Sequence, residues 1–209
     1  MIINPKVTDL SHYDDVDTNN EFMPAYRFGI RGVINKVSEG RWMQDHSFQW
    51  RRNPAKQAGM LYGGYHFLRP GNMKAQAEWF LSLCGNTDDL LLAGDHEDRN
   101  VDIDAAQQWF QYVHDRVGRW PALYSGFLIK EQVGDADRAF WSKIRLWLSH
   151  YSTRPSWPKS IWQKPWLWQY TGDGHGPLPH TVPGITPVGK LDINSYDSTD
   201  TQLKAEWLP

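Results

Sequence analysis

Apolar positions along this chain fall into short runs separated by stretches with helical spacing. Eight runs read as strands: 5–10, 31–37, 61–67, 90–97, 122–125, 146–151, 167–170 and 190–196. Between the first six lie segments with helical periodicity, at 20–26, 47–58, 73–83, 103–117 and 136–143. The 103–117 segment is the clearest. Ile103, Ala106, Trp109, Phe110 and Val113 share one face, Asp102 is an N-cap, Gly118 a stop, and Pro121 precedes the next strand. Gly59 marks another helix stop before LYGGYHF. This alternation predicts an α/β fold with a largely parallel sheet. After about residue 152 the character changes, because Pro155, Pro158, Pro165, Pro177, Pro179, Pro183 and Pro187 break up any helix. The last two strands are therefore expected to be joined by loops or hairpins. Eight strands with helices confined to the first part point to an incomplete, TIM-like (β/α) barrel, whose active site lies at the C-terminal ends of its strands.

A length of 209 residues fits one domain, 1–209, with no separate wall-binding domain expected. The formal net charge of -2, with no basic block or stripe, argues against nucleic acid as a partner. The composition is unusual in its 12 Trp beside 9 Tyr and 8 Phe. Many of these are core, but flat amphipathic rings also suit stacking on sugars, whereas base stacking requires basic interleaving that is missing. The single cysteine, Cys84, excludes an internal disulfide and sits in an apolar helical stretch, so a buried inert thiol is expected. The N-terminus lacks a cationic flank and a long apolar region, and no run reaches membrane-spanning length. A chain made in the cytoplasm without a signal peptide and without membrane insertion is expected, reaching any external target by release through another route.

The candidate chemistry centres on LLLAGDHED at 90–98. Side chains two apart on a strand share a face, roughly 6.6 Å apart, so Asp95 and Glu97 would project together. Paired carboxyls are the minimum kit for glycosidic cleavage. One must hold a proton and the other must be ionised. The remaining strand ends bring Asp9, Lys36, Glu39, Tyr65, His66, Tyr124, Ser125, Trp147, Tyr151, Gln169, Tyr170 and Asp192 toward the same rim. Acids and aromatics converging on one rim are what a carbohydrate cleft requires. Asp95, His96, Glu97 and Asp98 are also potential metal ligands. However, His96 should alternate to the other face, and no His-Glu-x-x-His or paired-cysteine spacing exists. The loop from Asp98 departs from an EF-hand at Ile103 and Trp109. No metal or cofactor is expected. Ser125 lacks the nucleophile elbow, and Gly63-Gly64 lacks the Lys-Ser/Thr of a phosphate loop.

The chain resembles glycoside hydrolase family 25, the Chalaropsis-type lysozymes, in eight ordered pieces. These are DLSHYDD (9–15), GVINKVSEG (32–40), GGYHFLRP (63–70), GDHED (94–98), PALYSG (121–126), LWLSHY (146–151), WLWQYTG (166–172) and LDINSYD (191–197). The resemblance implies a (β/α)5(β)3 barrel. It makes Glu97 the general acid and Asp95 its charged partner, with Asp9 and Asp192 completing an acidic floor and Tyr65 facing the reacting sugar. Tyr124 and Gln169 join the polar contacts, and Trp147, Tyr151 and Tyr170 are the stacking candidates. The chain departs from the family pattern at Gly94, where an apolar residue is usual, in the extra acid Asp98, and at Tyr13-Asp14, where an aromatic-Gln pair is usual.

The implied activity is that of an N-acetylmuramidase. It cuts the β-1,4 bond between N-acetylmuramic acid and N-acetylglucosamine in bacterial cell-wall peptidoglycan, by direct water attack or with the 2-acetamido group as internal nucleophile. An endolysin for bacterial lysis, acting as a monomer, is the expected context. The competing reading is a non-catalytic glycan-binding barrel, against which the retention of all four acids speaks.

Overall fold

The computed structural model describes residues 1–16, 22–187 and 191–208. In chain order the elements are β1 (Pro5–Leu10), β2 (Asp14–Val16), α1 (Phe22–Phe28), β3 (Gly32–Glu39), β4 (Met43–Gln44), α2 (Ser47–Gln57), β5 (Leu61–Phe67), α3 (Met73–Cys84), β6 (Leu91–Asp95), α4 (Ile103–Val117), β7 (Ala122–Ser125), α5 (Phe127–Gln132), a 3₁₀ turn (Asp135–Asp137), α6 (Arg138–Trp141), β8 (Leu146–Ser149), β9 (Leu167–Thr171), β10 (Ile185–Pro187), β11 (Asp192–Ser195) and α7 (Asp200–Glu206).

Eight strands close into a ring in the order β1, β3, β5, β6, β7, β8, β9, β11 and back to β1. The pairings from β1 through β9 are parallel, and β11 is antiparallel to both its neighbours. Every strand expected from the sequence is a member of this ring. The first two residues of the 20–26 helix and the start of the 190–196 strand lie outside the described residues. Four features were not anticipated. These are the β3–β4 hairpin, the small β2–β10 sheet, α5, which precedes the helix expected at 136–143, and α7, which corrects the expectation that helices stop after the first part. Helix α7 starts where the Thr199 side chain accepts a hydrogen bond from the Gln202 amide at 3.2 Å.

The ring is buried on both faces, which is why its strands read as continuous apolar runs. Alternation sends Val7, Ile34, Leu91, Ala93, Ala122, Tyr124, Trp147 and Leu167 inward. Their neighbours Val33, Leu92, Leu123, Leu148 and Trp168 face the helical layer. Helix α4 shows the coupling. Asp102 caps it at 2.7 Å from the Ala105 amide, Gly118 ends it in the left-handed region, and Trp109 and Phe110 fill the space over β6. A Cβ at Gly94 would come within 2.7 Å of both rings. Two aromatics on the helix thus replace the apolar strand residue usual at that position.

The N-terminal end of the ring is closed by α7. Trp207, 1% exposed, donates from Nε1 to the Tyr62 carbonyl at 2.9 Å and lies against Gly32, where a Cβ would approach its ring to 2.6 Å. Asp200 pairs with Lys6 and Arg31, both at 2.7 Å. The end of the ring that α7 leaves open is the opposite, C-terminal end of the strands.

Candidate active site

The inward positions at the open end carry polar side chains in place of the apolar ones below. Asp9 is the penultimate residue of β1 and lies beside Asp192 of β11 in the ladder. Asp95 ends β6, aligned with Tyr124 of β7 and Phe67 of β5. The strand expected to reach 97 stops at Asp95, and Glu97 lies in the loop that follows. That loop is pinned by its backbone. The His96 amide donates to the Tyr124 carbonyl at 2.9 Å, and Ser125 Oγ donates to the His96 carbonyl at 2.8 Å. The His96 ring turns away from the mouth and bonds the Val101 carbonyl through Nε2 at 2.9 Å. It is therefore not available beside Asp95 and Glu97. Asp95 is 5% exposed, whereas Glu97 is exposed at the edge of the mouth.

A hydrogen-bonded web fixes Asp9 beneath this edge. Gln169 Nε2 donates to both carboxylate oxygens at 3.0 and 2.9 Å, and Asn194 Nδ2 donates to Oδ1 at 2.7 Å. The amide carbonyl of Gln169 in turn accepts from Tyr124 OH at 2.7 Å and Tyr151 OH at 3.0 Å. Trp147 donates from Nε1 to Asn194 and packs edge-on against both Tyr124 and Tyr65. Asp9, Asp95, Glu97, Asp192, Tyr65, Tyr124, Trp147, Tyr151 and Gln169 are thus brought together.

Tyr170 is not among them. It is one residue on from the inward Gln169, so it faces the outer layer, where it packs on Trp168 and donates to the Pro179 carbonyl. Its assignment as a stacking residue is corrected by this alternation. Trp147 is 1% exposed and serves as floor packing, with no face free for a sugar. His66 and Ser125 also face outward, His66 stacked on Trp109.

Two residues at the mouth, Asn194 and Asp173, were not assigned from sequence, and a third, Lys36, was placed on the rim without a role. Asn194 lies two residues after Asp192 and so shares its face, a signal that strand periodicity carries. Lys36 is a buried cation that pairs with Glu39 at 2.6 Å. Asp173 has a positive φ of 49° in the turn after β9. A Cβ at neighbouring Gly172 would fall 2.3 Å from both Asp192 Oδ1 and Tyr151 OH, so the absence of a side chain there keeps the mouth open.

Four carboxyls crowded in one mouth cannot all ionise freely. Burial raises Asp9 to about 6 against the hydrogen bonds of Asn194 and Gln169, which lower it. Burial, then the Asp9 and Asp173 charges, raise Glu97 to about 7. Burial followed by repulsion from Asp9 and Asp173 raises Asp192 to about 9. Asp95 is pushed well above the usual carboxylate range by burial and by Glu97, with Lys36 acting against both. Glu97 meets solvent at the edge, so water screens its share of the repulsion more than it does for Asp95. The expected split, a protonated Glu97 beside an ionised Asp95, is thus not what burial alone produces. Asp95 is the more strongly raised, and the cluster titrates as a unit. One oxygen of Asp95 and one of Asp192 are buried without a hydrogen-bond partner among the described residues. Both are acceptors that a bound hydroxyl or amide N–H would satisfy.

Among the described residues, no group of three or more His, Cys, Asp or Glu side chains is arranged to hold a metal ion. No helix among them is long and apolar enough to cross a membrane.

The sequence profile of "Glycosyl hydrolases family 25" matches residues 8–177. The N,O-diacetylmuramidase of a Chalaropsis species is 30% identical over 194 residues, covering 80% of this chain and 90% of that protein. An N,O-diacetylmuramidase of Arthroderma benhamiae is 27% identical over 177 residues, covering 77% of this chain and 74% of that one. The solved structure of a muramidase from Acremonium alcalophilum superposes with a TM-score of 0.76 at 26% identity, covering 96% of this chain and 97% of that one. The matched segment takes in Asp9, Asp95 and Glu97, and the chain belongs to glycosyl hydrolases family 25.

Proposed function

We propose that this glycoside hydrolase cleaves peptidoglycan as an N-acetylmuramidase, at the β-1,4 bond from N-acetylmuramic acid to N-acetylglucosamine. The observation that carries the reading is the solvent-reaching Glu97, raised to about 7, above a floor of buried acids. Cleavage passes through an oxocarbenium-like transition state and needs a proton on the leaving oxygen. Glu97 is the donor, because it alone of the four stands at the edge where a bridging oxygen arrives. Positive charge growing at the anomeric carbon is stabilised by an ionised Asp95 beneath it, so the reactive form of the coupled acids is the one whose proton sits on Glu97, from which it passes to the leaving oxygen. Tyr65, whose hydroxyl is held neutral by burial and by Asp95, Asp9 and Asp192, donates a hydrogen bond to the reacting sugar. Lys36 offsets part of the charge that Asp95 then carries.

The unpartnered Asp95 oxygen favours the substrate-assisted route over direct water attack. A buried acceptor at that position can take the N–H of the 2-acetamido group and aim its carbonyl at the anomeric carbon. The whole chain, 1–209, is read as one catalytic unit, working as a monomer at the bacterial wall after release from the cytoplasm, as an endolysin does.

The test is Glu97→Gln. General acid catalysis is worth roughly 10²–10⁴-fold, so turbidity loss on purified peptidoglycan should fall by that order while circular dichroism and melting temperature hold. A folded variant that clears walls at the wild-type rate overturns the assignment. Wild-type protein that binds peptidoglycan without releasing reducing ends is a binding module instead.

A further inference from the structure

A second cavity opens beside the acid cluster. It has a volume of about 870 Å³ and lies between the turn after β1, the β3–β4 hairpin and the first turn of α2. Its walls include Tyr13, Asp14, Asp15, Met43, Trp50 and Arg51. The volume is that of a small-ligand site. Two of the walls are aromatic and unusually open, Tyr13 at 64% and Trp50 at 68% exposure.

The cations and anions here divide in a telling way. Arg51 is buried and turned inward, donating to the Ser11 carbonyl at 2.8 Å, Asn35 Oδ1 at 2.9 Å, Ser47 Oγ at 3.2 Å and the Asp14 carbonyl. Asp45 behind it is used up by Ser47 and His12. Asp14 Oδ2 accepts from the Ser11 amide at 2.7 Å and burial raises its carboxyl, whereas Asp15 is exposed and has no ion-pair partner among the described residues. The free charge facing the cavity is therefore negative, set between two open aromatic rings. Carboxylate plus aromatic face is the chemistry that recognises an ammonium group. Asp14 also stands close enough to the catalytic mouth for its charge to act on Asp9 and Asp192. Asp14 follows Asp9 through a turn closed at 3.0 Å between its amide and the Ser11 carbonyl, so the cavity adjoins the mouth and a side branch of a substrate held over Asp9 can enter it.

We propose that this cavity binds the amine-bearing peptide branch of the strand being cut, with Asp15 and the Trp50 ring holding its ammonium. The proposal rests on the peptidoglycan reading above. The sugar chain of that polymer offers no cation, whereas a diamino acid in the peptide branch does.

The experiment compares kcat/KM, read as new reducing ends, on three substrates: intact peptidoglycan, the same material with its free amines acetylated, and glycan strands stripped of peptide by an amidase. One ammonium contact is worth about tenfold. The wild-type enzyme should prefer intact material about tenfold over both others, and Asp15→Asn with Trp50→Ala should reduce that preference toward unity. Equal rates on all three substrates overturn the proposal. So does a variant that loses the same factor on intact and stripped strands, since the cavity would then hold sugar. Titration of the free peptide, followed by amide shifts of residues 13–16 and 50, separates this inference from the parent reading. If no substrate is cut but the peptide binds and its acetylated form binds about tenfold more weakly, the cavity assignment stands and the muramidase reading falls. If neither peptide binds, the cavity assignment falls on its own.

Discussion

The alkaline limb of the pH–rate profile is where the electrostatics of the mouth can be measured. With an ordinary value near 4.5 a glutamic acid would be about 0.3% protonated at pH 7, whereas at about 7 it is half protonated, a gain of roughly 150-fold in the competent form. Part of that gain is assigned to Asp173, a residue at the rim with no contact to the acid floor among the hydrogen bonds described. Asp173→Asn removes the charge and leaves the backbone undisturbed, because Asn tolerates a positive φ. One charge acting through partly solvated protein is worth about 0.5–1 kcal/mol, so the limb should move acidward by about 0.4–0.7 pH units. At pH 8 the protonated fraction then drops from about 9% to about 3%, a threefold loss of rate, with no change at pH 5.5. The assay is initial-rate release of reducing ends from pH 4.5 to 9 at fixed ionic strength. Added salt should shrink the difference. A limb that does not move, or that moves to higher pH, refutes the claim that Asp173 helps hold the proton on the acid.

Asp192 has its carboxyl raised from the usual 3.8 to about 9, so its contribution to stability is present below about 3.8 and is lost as the pH climbs to about 9. Asp192→Asn should therefore melt higher than wild type at pH 8–9, by about 1–2 kcal/mol after allowance for solvent screening, with the gap closing toward pH 4, while wall-clearing activity falls. Gly172→Ala places a methyl between Asp192 and Tyr151 and should cost about 1–3 kcal/mol in denaturant titration together with most of the activity. Trp207→Ala empties the closed end of the ring and should cost about 3–5 kcal/mol by thermal melting, with kcat per folded molecule preserved.

The ring was legible because a strand buried on both faces must be apolar throughout, and such runs stand out between amphipathic helices. Asp95 stands out in the sequence because it ends an apolar run two residues before a second acid, Glu97. Tyr170 was misread because its aromatic type was weighed ahead of its parity, since it is one residue from the inward Gln169 and must face the other way. Asn194 was missed for the converse reason, since it shares parity with Asp192 but carries no charge to draw notice. Helix α7 escaped because seven residues with one buried leucine give too short a period to detect, and its stability comes from contacts across the ring with Tyr62, Lys6 and Arg31. The state of Asp95 was not legible at all, because it depends on how many acids share one low-dielectric space and on the depth of each.

Asn4 and Trp207, near the two ends of the described chain, are anchored on the sealed side of the barrel. Asn4 is hydrogen-bonded to Ser195 at 2.9 Å and to the Tyr196 carbonyl at 2.9 Å, and α7 is the seal itself. Any polypeptide fused to either end therefore departs from the back of the molecule. A tether or targeting module can be attached there without crossing the path of a polysaccharide threading the front, and the orientation of such a module decides which way the acids face.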